Sequence, residues 1–411
     1  MKVLFINPRD EFLENAGDRP PLGLGYLCSY VKSIGYKAGI IDLNHDLGID
    51  LTDFISSKYL CITVTTPNYE ACINMAKDYK RQNPLLKIIF GGNHITDFPD
   101  QKETKEVADY WIVGDGEDAM NRILSGEAKE GLVISKPIED LDEIPMPDYK
   151  ELNLERYSMT VDGKKGASMV TARGCMYNCA FCGSAKIKKV RQRSPENVIE
   201  EMKFLYKEYG IRGFYFGDDI FTWNRERCLK LCNLIKDTFE DVLWRATTRA
   251  DLVDKELLLV MKETGCSVIS LGCESGNNEI LLKIHKGMTV EQNREAVGWA
   301  HEVGLKVKAF FIIGLPGETK ETAMKTIEYA KSLNLDYADF YPYTPYPSTP
   351  IWDNPEKYEV KVRKPEVDEW ISLNQVKSSN FILEHPNLSQ EEIGELIELA
   401  QTEVMKNKGT Y

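Results

Sequence analysis

No stretch of the 411 residues approaches 18 uninterrupted apolar residues, so no transmembrane helix is expected. The opening "MKVLFINPRDEF" is a short apolar run followed by polar residues. It lacks the long apolar core and small-residue cleavage site of a signal peptide, so the expected location is cytoplasmic. Positive charge is also in short supply. The balance is −13, whereas a protein whose main partner is nucleic acid needs a basic surface for the phosphates. One basic run, "KIKKVRQR" at 186–193, reads as a solvated loop. No internal repeat or low-complexity tract occurs. Ten cysteines in a large chain without an export signal do not suggest a disulfide framework; reduced thiols, some of them metal ligands, are expected.

What the sequence does have is alternation. Over residues 1–135, the apolar runs "KVLFIN", "KAGIIDL", "YLCITVTT", "KIIFGG" and "DYWIVGDGE" read as strands. Helical patterns lie among them, notably "PLGLGYLCSYVKSIG" and "NYEACINMAKDYKRQNP". This predicts an α/β fold with a doubly wound parallel sheet, whose ligands bind beyond the carboxyl ends of the strands. No phosphate loop or G-x-G-x-x-G fingerprint follows the first strand. Residues 136–165, rich in proline and charge, read as a linker. From 166 to 350 six more strands are expected: "SMVTAR", "GFYFGDD", "LWRATTR", "SVISLGCE", "VKAFFIIG" and "YADFYPY". With crossover helices between them they predict a partial (β/α)6 barrel, with its chemistry at the C-terminal ends of the strands. Residues 351–411 read as a small helical region, clearest in "SQEEIGELIELAQTEVMKNKG".

Just after the first barrel strand stands "TARGCMYNCAFCG", with Cys175, Cys179 and Cys182 inside eight residues. Four thiolates would close a structural zinc site or fill a [4Fe–4S] cluster. Three at C-x3-C-x2-C spacing leave one iron of a cubane open for chemistry. A zinc site with a distant fourth ligand is the alternative.

"CMYNCAFC" resembles the signature loop of the radical S-adenosylmethionine superfamily. "FYFGDDIFTWN", "RATTRADLVD", "LGCESGN", "KIHKGMT", "FFIIGLPGET" and "TPYPSTP" are similar to successive barrel motifs of members that also carry a cobalamin-binding domain. "PPLGLGYLCSYVKSIGYKAGIIDL", "FGGNHIT" and "DGEDAM" resemble that domain itself, so the resemblance covers about 350 residues and makes 1–135 the Rossmann-like cobalamin-binding domain. It implies that Cys175, Cys179 and Cys182 bind the cluster and that S-adenosylmethionine takes the fourth iron. It places Phe181 near the adenine. An acidic residue of "GDD" (Gly217, Asp218, Asp219) would meet the methionine ammonium, although most of the superfamily has two glycines and a glutamate there. Glu274 would contact the methionine or ribose, Arg249 a carboxylate, and backbone groups near Ile313 and Gly314 the adenine edge. Helix capping by Asp219, an ion pair of Arg249 with Asp251 or Asp254, and a helix-dipole role for Glu318 are the competing structural readings.

In the N-terminal domain the resemblance implies cobalamin bound by Thr65, Thr66, Gly91, Gly92 and the loop of Gly114, Gly116 and Glu117. The loop after the first strand contains no histidine, and His45 in "DLNHDLG" has the wrong spacing, so no lower histidine ligand is expected. The function implied is a cobalamin-dependent methyltransferase. One S-adenosylmethionine would methylate cobalt and a second would give a 5′-deoxyadenosyl radical. Methylcobalamin would then serve an unactivated carbon, with ferredoxin or flavodoxin as electron donor. The rival reading keeps radical cleavage for a cyclisation, rearrangement or oxidation of a small molecule or lipid, with or without cobalamin. The compact layout resembles methanogen glutamine C-methyltransferases that modify methyl-coenzyme M reductase, implying a peptide or protein substrate. Tyr341, Tyr343 and Tyr346 near the barrel mouth are candidates for contacting the substrate or supporting the radical step; packing is their structural alternative.

Overall fold

Strands apolar on both faces need helices on both sides, and the first half of the chain builds such a sheet, whereas the second half winds its strands in barrel order. The computed structural model describes residues 2–10, 17–45, 57–363 and 383–405. The chain divides into two compact units between Met159 and Thr160.

In the first unit β1 (Lys2–Asn7), β2 (Lys37–Asp42), β3 (Ser57–Thr63), β4 (Lys87–Gly91), β5 (Tyr110–Val113) and β6 (Gly131–Ile134) form one sheet in the order β2-β1-β3-β4-β5-β6. All pairings are parallel. The order reverses between β1 and β3, which is the switch point of a doubly wound sheet. Alternate residues serve opposite cores. Val3 and Phe5 pack with Leu24, Cys28, Met120 and Ile123. Leu4 and Ile6 pack with Tyr69, Cys72, Ile73 and Ala76. β6 was not among the expected strands. It has four residues and leaves Leu132 and Ile134 exposed, so its apolar pattern is too short to read.

The segment read as a linker does more than connect. Lys32 Nζ donates to Asp148 (2.7 Å) and Glu151 (2.8 Å), and the Asp148 N–H donates to the Gly25 carbonyl (3.0 Å). A Cβ on Gly25 would lie 2.6 Å from Leu152, so the helix Leu22–Ser33 can seat this segment only with glycine there. The Tyr157 hydroxyl donates to Asp42 (2.7 Å).

The second unit opens with β7 (Thr160–Val161) antiparallel to β8 (Lys164–Met169). β9 (Ala172–Arg173) and β10 (Arg191–Gln192) form a separate antiparallel pair. β11 (Gly213–Phe216), β12 (Leu243–Thr248), β13 (Cys266–Glu274), β14 (Lys306–Ile313) and β15 (Tyr337–Pro342) follow β8 in order, all parallel. An order without reversal is the winding of a β/α barrel. Ser194, Asn224, Asp254, Asn277, Thr289 and Thr319 each accept a backbone N–H at the start of a crossover helix. Caps of this kind contribute about 1 kcal/mol apiece.

Phe311 stacks on Phe340 (ring centroids 5.0 Å apart) and meets Tyr329 of the helix Lys320–Ser332, so this face of the sheet lies toward the helices. By strand alternation the opposite, inner face carries Tyr215 beside Arg245, then Thr247, Ser270 and Lys308 in one row. Lys308 pairs with Asp339 (2.8 Å), which also accepts from the Tyr341 hydroxyl (2.9 Å). The inner face is therefore polar where many barrels are filled with Val, Ile and Leu.

The expected C-terminal helix spans Gln390–Met405, against β15 and the helix Lys320–Ser332. A short antiparallel pair, β16 (Lys361–Val362) with β17 (Leu383–Glu384), adds strand to a region expected to be helical. Among the described residues no helix is long and apolar enough to cross a membrane.

Candidate functional site

The β9–β10 pair closes the neck of a loop, residues 174–190, that carries the three cysteines. Gly174 has φ +95, and a Cβ there would lie 2.2 Å from the Lys189 carbonyl oxygen, so the loop admits only glycine at its entry. The Cys175 N–H donates to Ile187 O (3.2 Å), and the Ala180 N–H to Ile284 O (2.8 Å). The Ala180 carbonyl accepts from the Ile351 N–H (3.2 Å), so the loop is fastened at both ends and at its middle. Cys175 and Cys179 are buried, Cys182 is half-buried, and all three are free thiols. Burial pushes the Cys175 and Cys182 thiols up, and neighbouring Cys179 and Asp219 add to both shifts. Among the described residues no three His, Cys, Asp or Glu side chains converge as one bound ion would require. Three free thiols on one loop at C-x3-C-x2-C spacing suit three irons of a cubane.

The basic run 186–193 is only partly a solvated loop. Lys188 and Lys189 are exposed, but Arg191 and Arg193 are buried, and Arg193 pairs with the fully buried Glu201 at 2.5 Å. The run carries both the rim of the loop and part of the unit's core.

The two aspartates of "GDD" separate cleanly. Asp218 is buried and turned back on the strand ends, accepting from Thr171 N (2.6 Å), Thr171 Oγ1 (2.5 Å) and Ala172 N (3.0 Å). Burial raises its pKa, and those hydrogen bonds oppose the rise. Asp219 is exposed, accepts from Ser184 Oγ (3.0 Å), and lies within electrostatic reach of Cys175 and Cys182. It does not cap the next helix; Asn224 does. Gly217 donates its N–H to Met169 O (2.8 Å), tying this turn to the end of β8.

Glu274 and Arg249 are both buried. Glu274 accepts from Lys286 Nζ (2.7 Å). Arg249 forks onto Asp251 through Nε (2.8 Å) and Nη2 (2.9 Å), and Nη1 points at Cys179 Sγ, 3.8 Å away. Its partner is thus Asp251, while Arg225 takes Asp254 (2.8 Å). Lys286 and Tyr177, whose ring lies 3.6 Å from the Arg249 guanidinium carbon, belong to this site, and sequence reasoning did not single them out. Neither stands in a periodic pattern; only closure of the loops brings them in. Phe181 is half-buried against the cluster containing Ala180, Ile284, Leu315 and Tyr343, with Lys286 Nζ 5.9 Å from its ring centre.

At the expected adenine edge, two of the backbone groups have partners within the fold. The Gly314 N–H already donates to Glu318 Oε2 (2.5 Å), and Ile313 O already accepts from Tyr343 N–H (2.8 Å). Glu318 is fully buried rather than placed at a solvated helix end. Tyr341 and Tyr346 are about half exposed, whereas Tyr343 is buried with its hydroxyl unpaired. The other cysteines, Cys28, Cys61, Cys72, Cys228, Cys232, Cys266 and Cys273, are buried in the two cores as expected.

In the first unit a small apolar cleft opens at the strand ends, lined by Leu24, Leu27, Cys61, Ile89, Gly91 and Met120 among others. A Cβ on Gly91 would meet nothing within 4 Å, so glycine leaves that space to a ligand. Gly92 (φ +102) would clash with Val64 O at 2.6 Å if it bore a side chain, and Gly116 with Leu27 at 2.7 Å. Thr65 donates its N–H to Asn68 (2.8 Å), and the Gly114 N–H donates to Thr96 Oγ1 (3.2 Å). Glu117 is buried. Thr66 Oγ1 lies 3.2 Å from His94 Nδ1, and Gln101 Oε1 lies 2.7 Å from Nε2. His45 is spent on Gly17 O (2.9 Å) and on the Tyr157 ring. The bare-backbone apolar cleft suits the flat aromatic tail of cobalamin, and both described histidines of this unit are engaged elsewhere.

Residues 169–330 match the family model of the radical SAM superfamily, and residues 12–124 that of the B12 binding domain. The chain is 36% identical to an uncharacterized methyltransferase of Pyrococcus horikoshii, over 86% of this chain and 83% of that one. It is 30% identical to the anaerobic magnesium-protoporphyrin IX monomethyl ester cyclase of Rubrivivax gelatinosus, over 86% of this chain and 69% of that one. Among solved structures, the radical S-adenosylmethionine methyltransferase TsrM of Kitasatospora setae, with cobalamin and a [4Fe–4S] cluster bound, superposes with a TM-score of 0.77. That match spans 97% of this chain and 91% of TsrM at 17% identity, a likeness of fold.

Proposed function

Because the chain belongs to the cobalamin-binding radical S-adenosylmethionine methyltransferases, we propose that it methylates an unactivated carbon of a polar, peptide-like substrate. The family's cofactors are a [4Fe–4S] cluster, S-adenosylmethionine and cobalamin. The cluster supplies one electron to the sulfonium of S-adenosylmethionine, and cobalamin carries the methyl group.

The observation that carries this reading is the fastened loop with Cys175, Cys179 and Cys182 at the C-terminal end of the first barrel strand. These three thiolates hold three irons. Asp219, exposed beside them, accepts hydrogen bonds from the methionine ammonium, while Asp218 holds the strand ends. Glu274 and Lys286, paired with each other, lie within electrostatic reach of Cys182 and Cys179, where the methionine or ribose would be met. Phe181 supplies an apolar wall for the adenine. Thr65, Thr66, Gly91, Gly92 and the Gly114–Glu117 loop line the cobalamin side.

The inner barrel face, with Tyr215, Thr247, Ser270, Asp339 and Tyr341, is polar, a lining that suits a polar substrate better than a lipid chain. Together with the resemblance of the compact layout to methanogen glutamine C-methyltransferases, this supports a peptide such as a glutamine-containing segment of methyl-coenzyme M reductase. The likeness to a cyclase at 30% identity supports one rival, radical cleavage without methyl transfer. Product analysis separates the two. S-adenosylhomocysteine and 5′-deoxyadenosine in equal amounts, with a methylated peptide, support methyl transfer. Deoxyadenosine without homocysteine overturns it.

A further inference from the structure

Arg249 is held on every side but one. It is 5% exposed, its fork is filled by Asp251, and its Nη2 also donates to Lys286 O at 2.9 Å. The guanidinium carbon lies 3.6 Å from the centre of the Tyr177 ring. The remaining nitrogen, Nη1, donates toward Cys179 Sγ at 3.8 Å. A guanidinium already bound bidentately to a carboxylate has little left for the carboxylate of S-adenosylmethionine. What it has left is aimed at a cluster ligand.

We infer that Arg249 is a positioning residue for the cluster: its Nη1–H donates to the Cys179 sulfur and raises the reduction potential of the iron–sulfur centre. The inference rests on the cluster reading of the three cysteines. An external one-electron donor of the ferredoxin class gives up one electron, and the cluster gains one negative charge with no proton transferred. Hydrogen bonds to the ligating sulfurs and buried local charge set that potential. A cation beside a ligand favours the more negative, reduced state. Asp251 works against it by neutralising the guanidinium from the other side. The two residues therefore act with opposite sign, and a merely structural pair would not.

The test is a potentiometric titration of the reconstituted holoprotein with titanium(III) citrate, followed by electron paramagnetic resonance, with iron content measured in parallel. Arg249→Gln is expected to lower the reduction equilibrium at least tenfold, a shift of about 59 mV to more negative potential for one electron. Asp251→Asn is expected to shift it to more positive potential. If Arg249→Gln keeps the wild-type potential, or if both variants shift the same way, the inference is overturned while the cluster reading stands. If wild-type protein takes up no cluster, the cluster reading itself falls. Should Arg249→Gln fail to hold iron, Asp251→Asn decides alone: a positive shift supports the inference, and no shift or a negative one overturns it.

Discussion

Lys286 Nζ and Glu274 Oε1 stand 2.7 Å apart, both side chains buried, in an ion pair beside the cysteine loop. The strand geometry is arranged around them. β13 shifts register between Gly272 and Glu274, and Glu274 takes φ +63. A Cβ on Gly272 would lie 2.5 Å from Glu274 Oε1 and 3.0 Å from Lys286 Nζ. Burial disfavours the charge on Lys286, and the carboxylate more than restores it, so its pKa is raised.

Removing one partner leaves a buried charge uncompensated. Lys286→Met should cost about 3–5 kcal/mol, and Glu274→Gln with Lys286→Met together should cost less than Lys286→Met alone. Urea unfolding of the purified protein measures both. Equal loss in the single and double variants would show that the pair is not coupled. Gly272→Ala should also destabilise, because neither charged group can step aside without leaving the other.

Asp218 and Asp219 are adjacent in sequence and should behave oppositely. Asp218→Ala deletes the acceptor of three hydrogen bonds and leaves Thr171 and Ala172 donors buried, at about 1–3 kcal/mol per stranded donor. Its signature is a lower melting temperature. Asp219→Ala touches an exposed side chain, so the melting temperature should hold. Affinity for S-adenosylmethionine, by calorimetry on the cluster-loaded protein, should fall about tenfold. Loss of affinity in the Asp218 variant alone would reverse the assignment.

Much of this was legible in the chain. The caps Ser194, Thr289 and Thr319 and the six barrel strands carry local signals, because a cap and an amphipathic period are made by neighbours in sequence. The three cysteines were legible for the same reason. What sequence could not separate were contacts made by chain closure. In sequence Asp251 and Asp254 are equally within reach of Arg249, and nothing local distinguishes the two aspartates of "GDD". Lys286 and Tyr177 are brought to the site by loops whose paths no periodicity records. The burial of Arg191 and Arg193 leaves no local signal, because a charge run looks the same whether its members face water or, as Arg193 does, a buried Glu201.

Cobalt should have no imidazole ligand from this chain's described histidines. His94 is stacked on Tyr69 (4.2 Å between centroids), flanked by Thr66 and Gln101, and burial lowers its pKa to about 4. The cob(II)alamin spectrum should lack nitrogen splitting from histidine, and His45→Ala should not change it. The neutral ring also has a pH signature. A base whose folded pKa lies below its unfolded value gives stability that is complete above about pH 6.5 and lost as pH falls toward 4. His94→Gln should remove that acid-side loss, which denaturation at pH 7 and pH 5 would reveal.

Glu318 should do the reverse. It is fully buried, its Oε2 accepts from the Gly314 N–H, and its Oε1 has no partner. Burial raises its pKa to about 7, against the two backbone hydrogen bonds that oppose the rise. The folded state therefore holds this proton where the unfolded chain has released it. Stability from this group is complete below the unfolded value near 4.5 and declines as pH rises through 7, by on the order of 3 kcal/mol in all. The turn it holds is packed under the C-terminal segment: Asn387 Nδ2 donates to Glu318 O (3.1 Å), and Ile393 sits where a Cβ on Gly314 would go. Other ionisable groups stand nearby, His385 on Leu315 O and Lys283 beside Gly317. Glu318→Gln keeps an oxygen for the Gly314 N–H and cannot ionise. The wild type should lose stability relative to this variant between pH 5 and pH 8. Parallel stability curves across that range would show that Glu318 does not titrate in the fold.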